Sequence, residues 1–282
     1  MRLLLQMGIL IAVFTACQIA PVPDAQRETV PTQFQGSSSV KLDDITMYFE
    51  ARGSGKPLFL LHGCLGSSAS WVGQITEFSQ KYYVVAPDSR GQGHTTDSDS
   101  SISYHRMAED IIHLMDYLNI ESAYVVGWSD GGNVGLDLAI HHPERVEALV
   151  AYGANKNPDG VQDHFKESIR SATVDTLKLQ VLSSEYIEAL PDPFRIELIW
   201  EKLQNMLLTE PNFTQEQLAA IKVPVLIMGG ENDSLIRPDQ AGKIATTIPD
   251  AELLVLPNTG HYAVYEFPEV WNNAVLDFLG RY

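Results

Sequence analysis

A chain of 282 residues with 45% hydrophobic and 9% aromatic content can bury one large core, and a single domain of this length is ordinary. Its 19 Lys and Arg against 36 Asp and Glu leave a formal charge of −17, which repels phosphate backbones and anionic bilayers and so excludes nucleic acid as a partner. The acidic excess is read as a contribution to solubility.

Residues 1–17 begin with one positive charge at Arg2 and continue as a short apolar run, too short to span a bilayer but suited to a secretory leader. The run ends at Phe14-Thr15-Ala16-Cys17, which resembles a bacterial lipobox. That resemblance implies a signal peptide over 1–16 and lipidation of Cys17, hence an exported protein of the cell envelope anchored to a membrane. An ordinary signal peptide cleaved near Ala16 or Ala20, releasing a periplasmic or secreted protein, is the alternative. From 17 to 39 there are three prolines and the triple Ser37-Ser38-Ser39 without hydrophobic period, so this stretch is expected to be a disordered tether with a reach of about 25 Å. Cys17 and Cys64 are the only cysteines, and a lipidated Cys17 leaves no intramolecular disulfide.

The folded domain is expected over 40–282. Alternation through Ile45, Met47 and Phe49 predicts an antiparallel hairpin at a sheet edge. Continuous apolar runs at 58–61 and 82–86 predict buried central strands, with a helix over 71–80 between them. Met107, Ile111, Leu114, Met115 and Leu118 recur at three- and four-residue steps, which predicts a helix over 104–118. Strand-forming Tyr124, Val125 and Val126 lead through Gly127-Trp128-Ser129-Asp130-Gly131 into a second helix, and 146–152 reads as the next strand. From about 155 to 222 the alternation gives way to helices carrying Phe165, Leu177, Tyr186, Phe194, Trp200, Leu203 and Met206, a candidate cap. Strand, helix, strand, helix then resume at 223–228, 238–248, 252–256 and 270–279. Regular β/α alternation of this kind predicts a mostly parallel doubly wound sheet.

The pattern GxSxG at a strand-to-helix turn marks Ser129 as the candidate nucleophile, because the two glycines permit a sharp turn that exposes the hydroxyl. A serine needs a base held by an acid. Asp233 follows the strand ending at Met228, and His261 follows the strand ending at Leu256, so both can reach the sheet edge that carries Ser129. Glu231 is a rival for the acid. The backbone N–H groups of Asp130 and Cys64 are the expected oxyanion donors, with the Cys64 thiol read as packing rather than as a second nucleophile. No metal-ligand spacing and no dinucleotide-binding glycine loop is present, so no metal and no cofactor is expected.

Taken in order, HGCLG, DSRGQGHT, GWSDGG, GENDSLI and NTGH resemble the α/β-hydrolase superfamily over roughly residues 45–282. Within it, GWSDGG followed by Tyr152-Gly153-Ala154-Asn155 resembles the group containing valacyclovir hydrolase, the biphenyl hydrolase-like proteins. The resemblance implies a serine hydrolase that cleaves a small ester, thioester or amide through an acyl-enzyme, with Asp130 recognising the amino group of an α-amino acid ester. Lactone hydrolysis, aminopeptidase activity and C–C bond hydrolysis use the same triad. A silent envelope protein that binds a small molecule under the cap is the alternative of a different class.

Overall fold

The computed structural model describes residues 34–180 and 182–282. The expected leader over 1–16, Cys17 and the first part of the tether lie outside the described residues. The last part of the tether does not: β1 (Gly36–Leu42) takes in Ser37 to Ser39, so the domain starts earlier than the expected boundary at 40. Polarity concealed this strand. Its serines gain their order from a seven-residue antiparallel register with β2 (Ile45–Gly53), not from side-chain burial.

The chain then alternates as expected. β3 (Pro57–Leu61), α1 (Val72–Phe78), β4 (Tyr83–Pro87), α2 (Tyr104–Tyr117), β5 (Ala123–Trp128), α3 (Asp130–His141) and β6 (Val146–Tyr152) build the first half. Between β6 and the next strand the described residues form α4 (Asp163–Ser171), α5 (Val174–Gln180), α6 (Ser184–Ala189), α7 (Ile196–Thr209) and α8 (Gln215–Ala219). The sheet resumes with β7 (Val225–Gly230), α9 (Asp239–Ala245) and β8 (Glu252–Leu256), and the chain closes on α10 (Ala263–Glu266) and α11 (Pro268–Leu279).

The strands form one sheet in the order β1-β2-β4-β3-β5-β6-β7-β8, antiparallel through β1, β2 and β4 and parallel from there on. Side chains alternate across a strand, so each buried strand serves two cores. Phe59, Val125, Leu149 and Ile227 face a layer that includes α2, α3 and α9, while Leu58, Tyr124, Val150 and Met228 face Trp71 and Phe78 near α1 and Trp271 and Phe278 of α11. This explains the uninterrupted apolar runs. Parallel strands also bring their C-terminal ends to one edge, which is where β5, β7 and β8 release the loops of interest.

Arg90 is buried between the β1–β2 turn and α2, its guanidinium donating to both carboxylate oxygens of Asp110 at 2.6 and 2.7 Å and to Asp44 at 3.3 Å. Such a two-point pair fixes the loop after β4 with more directionality than a single charge contact. The cap is held across this loop: Arg195 and Lys202 both donate to Asp97, whose carboxylate is almost fully buried, at 2.9 Å. Leu177, Trp200, Leu203 and Met206 are buried as expected of cap-packing residues, but Phe194 is 97% exposed. Among the described residues no helix is long and apolar enough to cross a membrane.

Candidate active site

β5 ends at Trp128 and α3 begins at Asp130, so Ser129 makes the turn alone, with φ 57° and ψ −120°. For a residue with a Cβ this conformation costs roughly 1–3 kcal/mol and persists only where the surroundings impose it. Here the imposition is close packing: a Cβ on Gly131 would overlap the Leu61 carbonyl, and one on Gly127 would overlap the carbonyl of Gly131. The Ser129 amide donates to Tyr152 at 2.8 Å, and its carbonyl accepts from Gly132 at 2.8 Å. The turn is therefore fixed on both sides.

Loops from β7 and β8 bring the other two residues to this hydroxyl. Ser129 Oγ lies 2.9 Å from His261 Nε2, and His261 Nδ1 lies 2.8 Å from Asp233 Oδ2. The second oxygen of Asp233 accepts from the amides of Leu235 and Ile236, each at 2.8 Å, so the carboxylate cannot rotate away from the imidazole. Trp128 Nε1 donates to the His261 carbonyl at 2.8 Å and steadies the loop from below. Glu231 is placed elsewhere: it is exposed and accepts from the amide of Asn258. Of the two acids, only Asp233 meets the histidine.

The HGCLG loop lies against the same turn. The Leu65 amide is taken by Gln92 at 2.6 Å and the Gly66 amide by the Gly63 carbonyl at 3.0 Å. The amides of Cys64 and Asp130 donate to no acceptor among the described residues, and both residues line the cavity beside Ser129. Burial, and then the neighbouring Asp130, push the Cys64 thiol well above its ordinary value. A protonated thiol there is a poor nucleophile.

Asp130 itself is buried, and its two oxygens differ. Oδ1 accepts from the Tyr104 hydroxyl at 2.9 Å, while Oδ2 has no partner among the described residues. Burial pushes this carboxyl up to about 6, against the opposing pull of the Tyr104 hydroxyl, of His261 and of the nearby Cys64 thiol. A buried carboxylate with an unused oxygen is expensive and typical of a functional position rather than a structural one. Tyr104 connects it to a second acid: the Tyr104 amide, at the start of α2, donates to Glu210 Oε2 at 3.1 Å, and desolvation raises the Glu210 carboxyl as well.

These groups open into a cavity of about 330 Å³ roofed by the cap, in the size range of small-molecule sites. Val161, Phe165, Ile169, Leu177, Trp200 and Leu207 supply an apolar wall. Asp130 and Glu210 supply two carboxylates, and among the described residues no Lys or Arg lines it. Tyr104 and Glu210 had escaped notice as site residues. Tyr104 looks in sequence like any first residue of a helix, and Glu210 lies in the cap, 80 positions beyond Asp130 and without a motif.

A family model described as alpha/beta hydrolase fold matches residues 56–181. The chain is 28% identical over 259 residues to the 2-hydroxy-6-oxo-6-(2'-aminophenyl)hexa-2,4-dienoic acid hydrolase of Metapseudomonas resinovorans, covering 84% of this chain and 88% of that one. It is 28% identical over 254 residues to the serine hydrolase BPHL of Homo sapiens, covering 86% of each. Among solved structures it is similar to a thermophilic esterase from Thermogutta terrifontis, with a TM-score of 0.67 and 25% identity over 86% of this chain and 98% of that one. The eight-stranded, mostly parallel sheet with helices on both sides, the matched family model and these likenesses show that the chain has the α/β-hydrolase fold.

Proposed function

We propose that this protein is a serine hydrolase whose preferred substrates are small esters with a protonated amine on the acyl part, α-amino acid esters above all, cleaved through an acyl-enzyme on Ser129. His261 acts as the general base and then as the acid that protonates the leaving group. Asp233 holds the imidazole, and the amides of Cys64 and Asp130 receive the oxyanion. The observation that carries the reading is the unpartnered, buried Asp130 oxygen beside Ser129. A cavity lined by two carboxylates and no Lys or Arg favours a cation over an anion. The same field opposes a dienoic acid such as the one in the name of the Metapseudomonas relative, and for that reason C–C hydrolysis ranks below ester hydrolysis here.

The test compares kcat/KM near pH 7 for an α-amino acid ester, its des-amino isostere and a carboxylate-bearing ester of the same length. At least a tenfold preference for the amino ester is expected; equal rates on all three would reject amine recognition. A fluorophosphonate probe should label Ser129, and a folded protein that resists labelling would support the ligand-binding alternative instead.

For location, the proposal is an exported protein anchored through a diacylated Cys17, since two acyl chains hold a protein on a membrane where one does not. It rests on Phe14 to Cys17 alone. Intact mass of the protein from its native host is expected to show a mature N-terminus at Cys17 with added lipid. A lipid-free N-terminus would remove the anchor.

A further inference from the structure

Outside the cavity, where α2 packs on α3, the fold gathers three metal-ligating side chains: His105 from α2, and Asp137 and His141 from α3. Asp137 and His141 stand four residues apart and so share a helix face. His105 arrives from the other helix. Its Nδ1 lies 2.9 Å from Asp137 Oδ1, while His141 Nε2 lies 3.9 Å from Asp137 Oδ2, and the two imidazole centroids are 4.8 Å apart. One ligand atom from each of the three falls within 4.8 Å of the others. Zinc bound at ~2.0–2.2 Å in a tetrahedron sets its ligand atoms about 3.3–3.6 Å apart, so small side-chain rotations suffice.

Burial and charge favour an ion over an ordinary surface contact. Asp137 is 5% exposed, whereas both imidazoles are exposed, which makes a carboxylate floor with an open approach from solvent. The ion-pair partners of Asp137 among the described residues are these two histidines, with no Lys or Arg in range. A buried carboxylate requires a positive partner, and a divalent ion supplies one while both imidazoles stay neutral. The far nitrogen of His105 faces Glu109 at 3.9 Å, and Glu109 also accepts from His142 at 2.6 Å.

We propose that His105, Asp137 and His141 form a site for a divalent ion of the zinc type, with three protein ligands and a water position left open to solvent. Sequence spacing had pointed to no metal because 32 positions separate His105 from Asp137. The site also borders the substrate cavity: Tyr104, next in the chain to His105, bonds Asp130 with its hydroxyl and Glu210 with its amide. An ion clamping α2 to α3 holds Tyr104 in that position, a structural and positioning role and not a catalytic one.

The experiment is calorimetric titration of zinc chloride, near pH 7, into the tag-free, chelator-stripped full chain. One ion per chain is expected at micromolar Kd or tighter, and at hundredfold excess over Kd the Tm should rise by about 5 °C or more. His105→Asn and His141→Asn, each of which leaves Asp137 the other histidine and is shown to be folded by its circular dichroism, should each weaken binding by about 10-fold or more. His164→Asn, in the cap, should leave it unchanged. The proposal fails if zinc shows no saturable binding, if both ligand variants bind as tightly as the native chain, or if His261→Asn alone abolishes binding, which would put the ion at the triad.

Discussion

Replacing Ser129 by Ala, or His261 by Ala, is expected to lower kcat by about 10⁴-fold or more, and the double variant should be barely worse than either. The reason is geometric. The 2.9 Å contact between Oγ and Nε2 is the path of the proton, and the 2.8 Å contact between Nδ1 and Asp233 holds the imidazole in the orientation and tautomer that receive it, so the three residues act as a unit. Asp233→Asn should cost about 10³- to 10⁴-fold, because the amide accepts poorly from Nδ1–H and leaves the imidazole in the wrong tautomer. Glu231→Gln should be close to neutral, since Glu231 serves the Asn258 amide. Steady-state kinetics on one activated ester check all five variants. Losses that add up in the double variant, or a Glu231 variant worse than that of Asp233, would overturn the assignment.

The second large effect concerns selectivity. Asp130→Ala should reduce kcat/KM for an amino acid ester by about thirty- to several-thousand-fold, the range for breaking a desolvated charge pair worth roughly 2–5 kcal/mol. Its backbone donor remains, so neutral esters should be unchanged or improved, because a negative charge near the developing oxyanion is removed. The pH dependence follows from a carboxyl pushed up to about 6. Amine binding needs the ionised carboxyl and the protonated amine together, so the ratio of amino-ester to neutral-ester kcat/KM should peak near pH 7, fall as pH drops through 6, and fall again as pH rises past the α-amino pKa of ~7.7–8.0. Taking the ratio cancels the titration of the shared base. Stability runs the other way. A carboxyl raised from 3.8 to about 6 favours folding when protonated, and that contribution is lost as pH rises through 6, at ~1.36 kcal/mol per unit, about 3 kcal/mol in all. Asp130→Asn should therefore unfold at a higher Tm than the native chain at pH 8 while losing its amine preference. Equal losses on amino and neutral esters would return Asp130 to a structural role.

Most of the sheet and the triad could be read from the sequence because they depend on local chemistry. Apolar runs such as Leu58 to Leu61 can be satisfied only between two helical layers, and GxSxG has meaning only at a strand-to-helix turn. The elements that escaped are those whose order comes from partners distant in sequence. β1 is ordered by its register with β2, although its serines carry no apolar signal. Glu210 reaches the cavity only because α7 carries the chain back over Tyr104, and the His105, Asp137 and His141 cluster depends on the packing of α2 against α3. Phe194 shows the converse. Its size suggests burial, but the short turn that holds it projects it into solvent.

α3 carries an unusual combination of demands. The strained Ser129 turn and the unpaired Asp130 oxygen both sit at its first turn, and all of its residues from Asp130 to Ala139 are buried. A helix gripped along that much of its length cannot shift to relieve either, so the floor of the cavity has the same shape before and after a substrate arrives. Adaptability must then reside overhead. Phe165, Ile169, Leu177, Trp200 and Leu207 belong to the inserted segment and take no part in the hydrogen bonds that join Ser129, His261 and Asp233, so these positions can exchange during divergence without disturbing bond cleavage. Lineages sharing this floor are free to part company in what they digest by rewriting the roof alone.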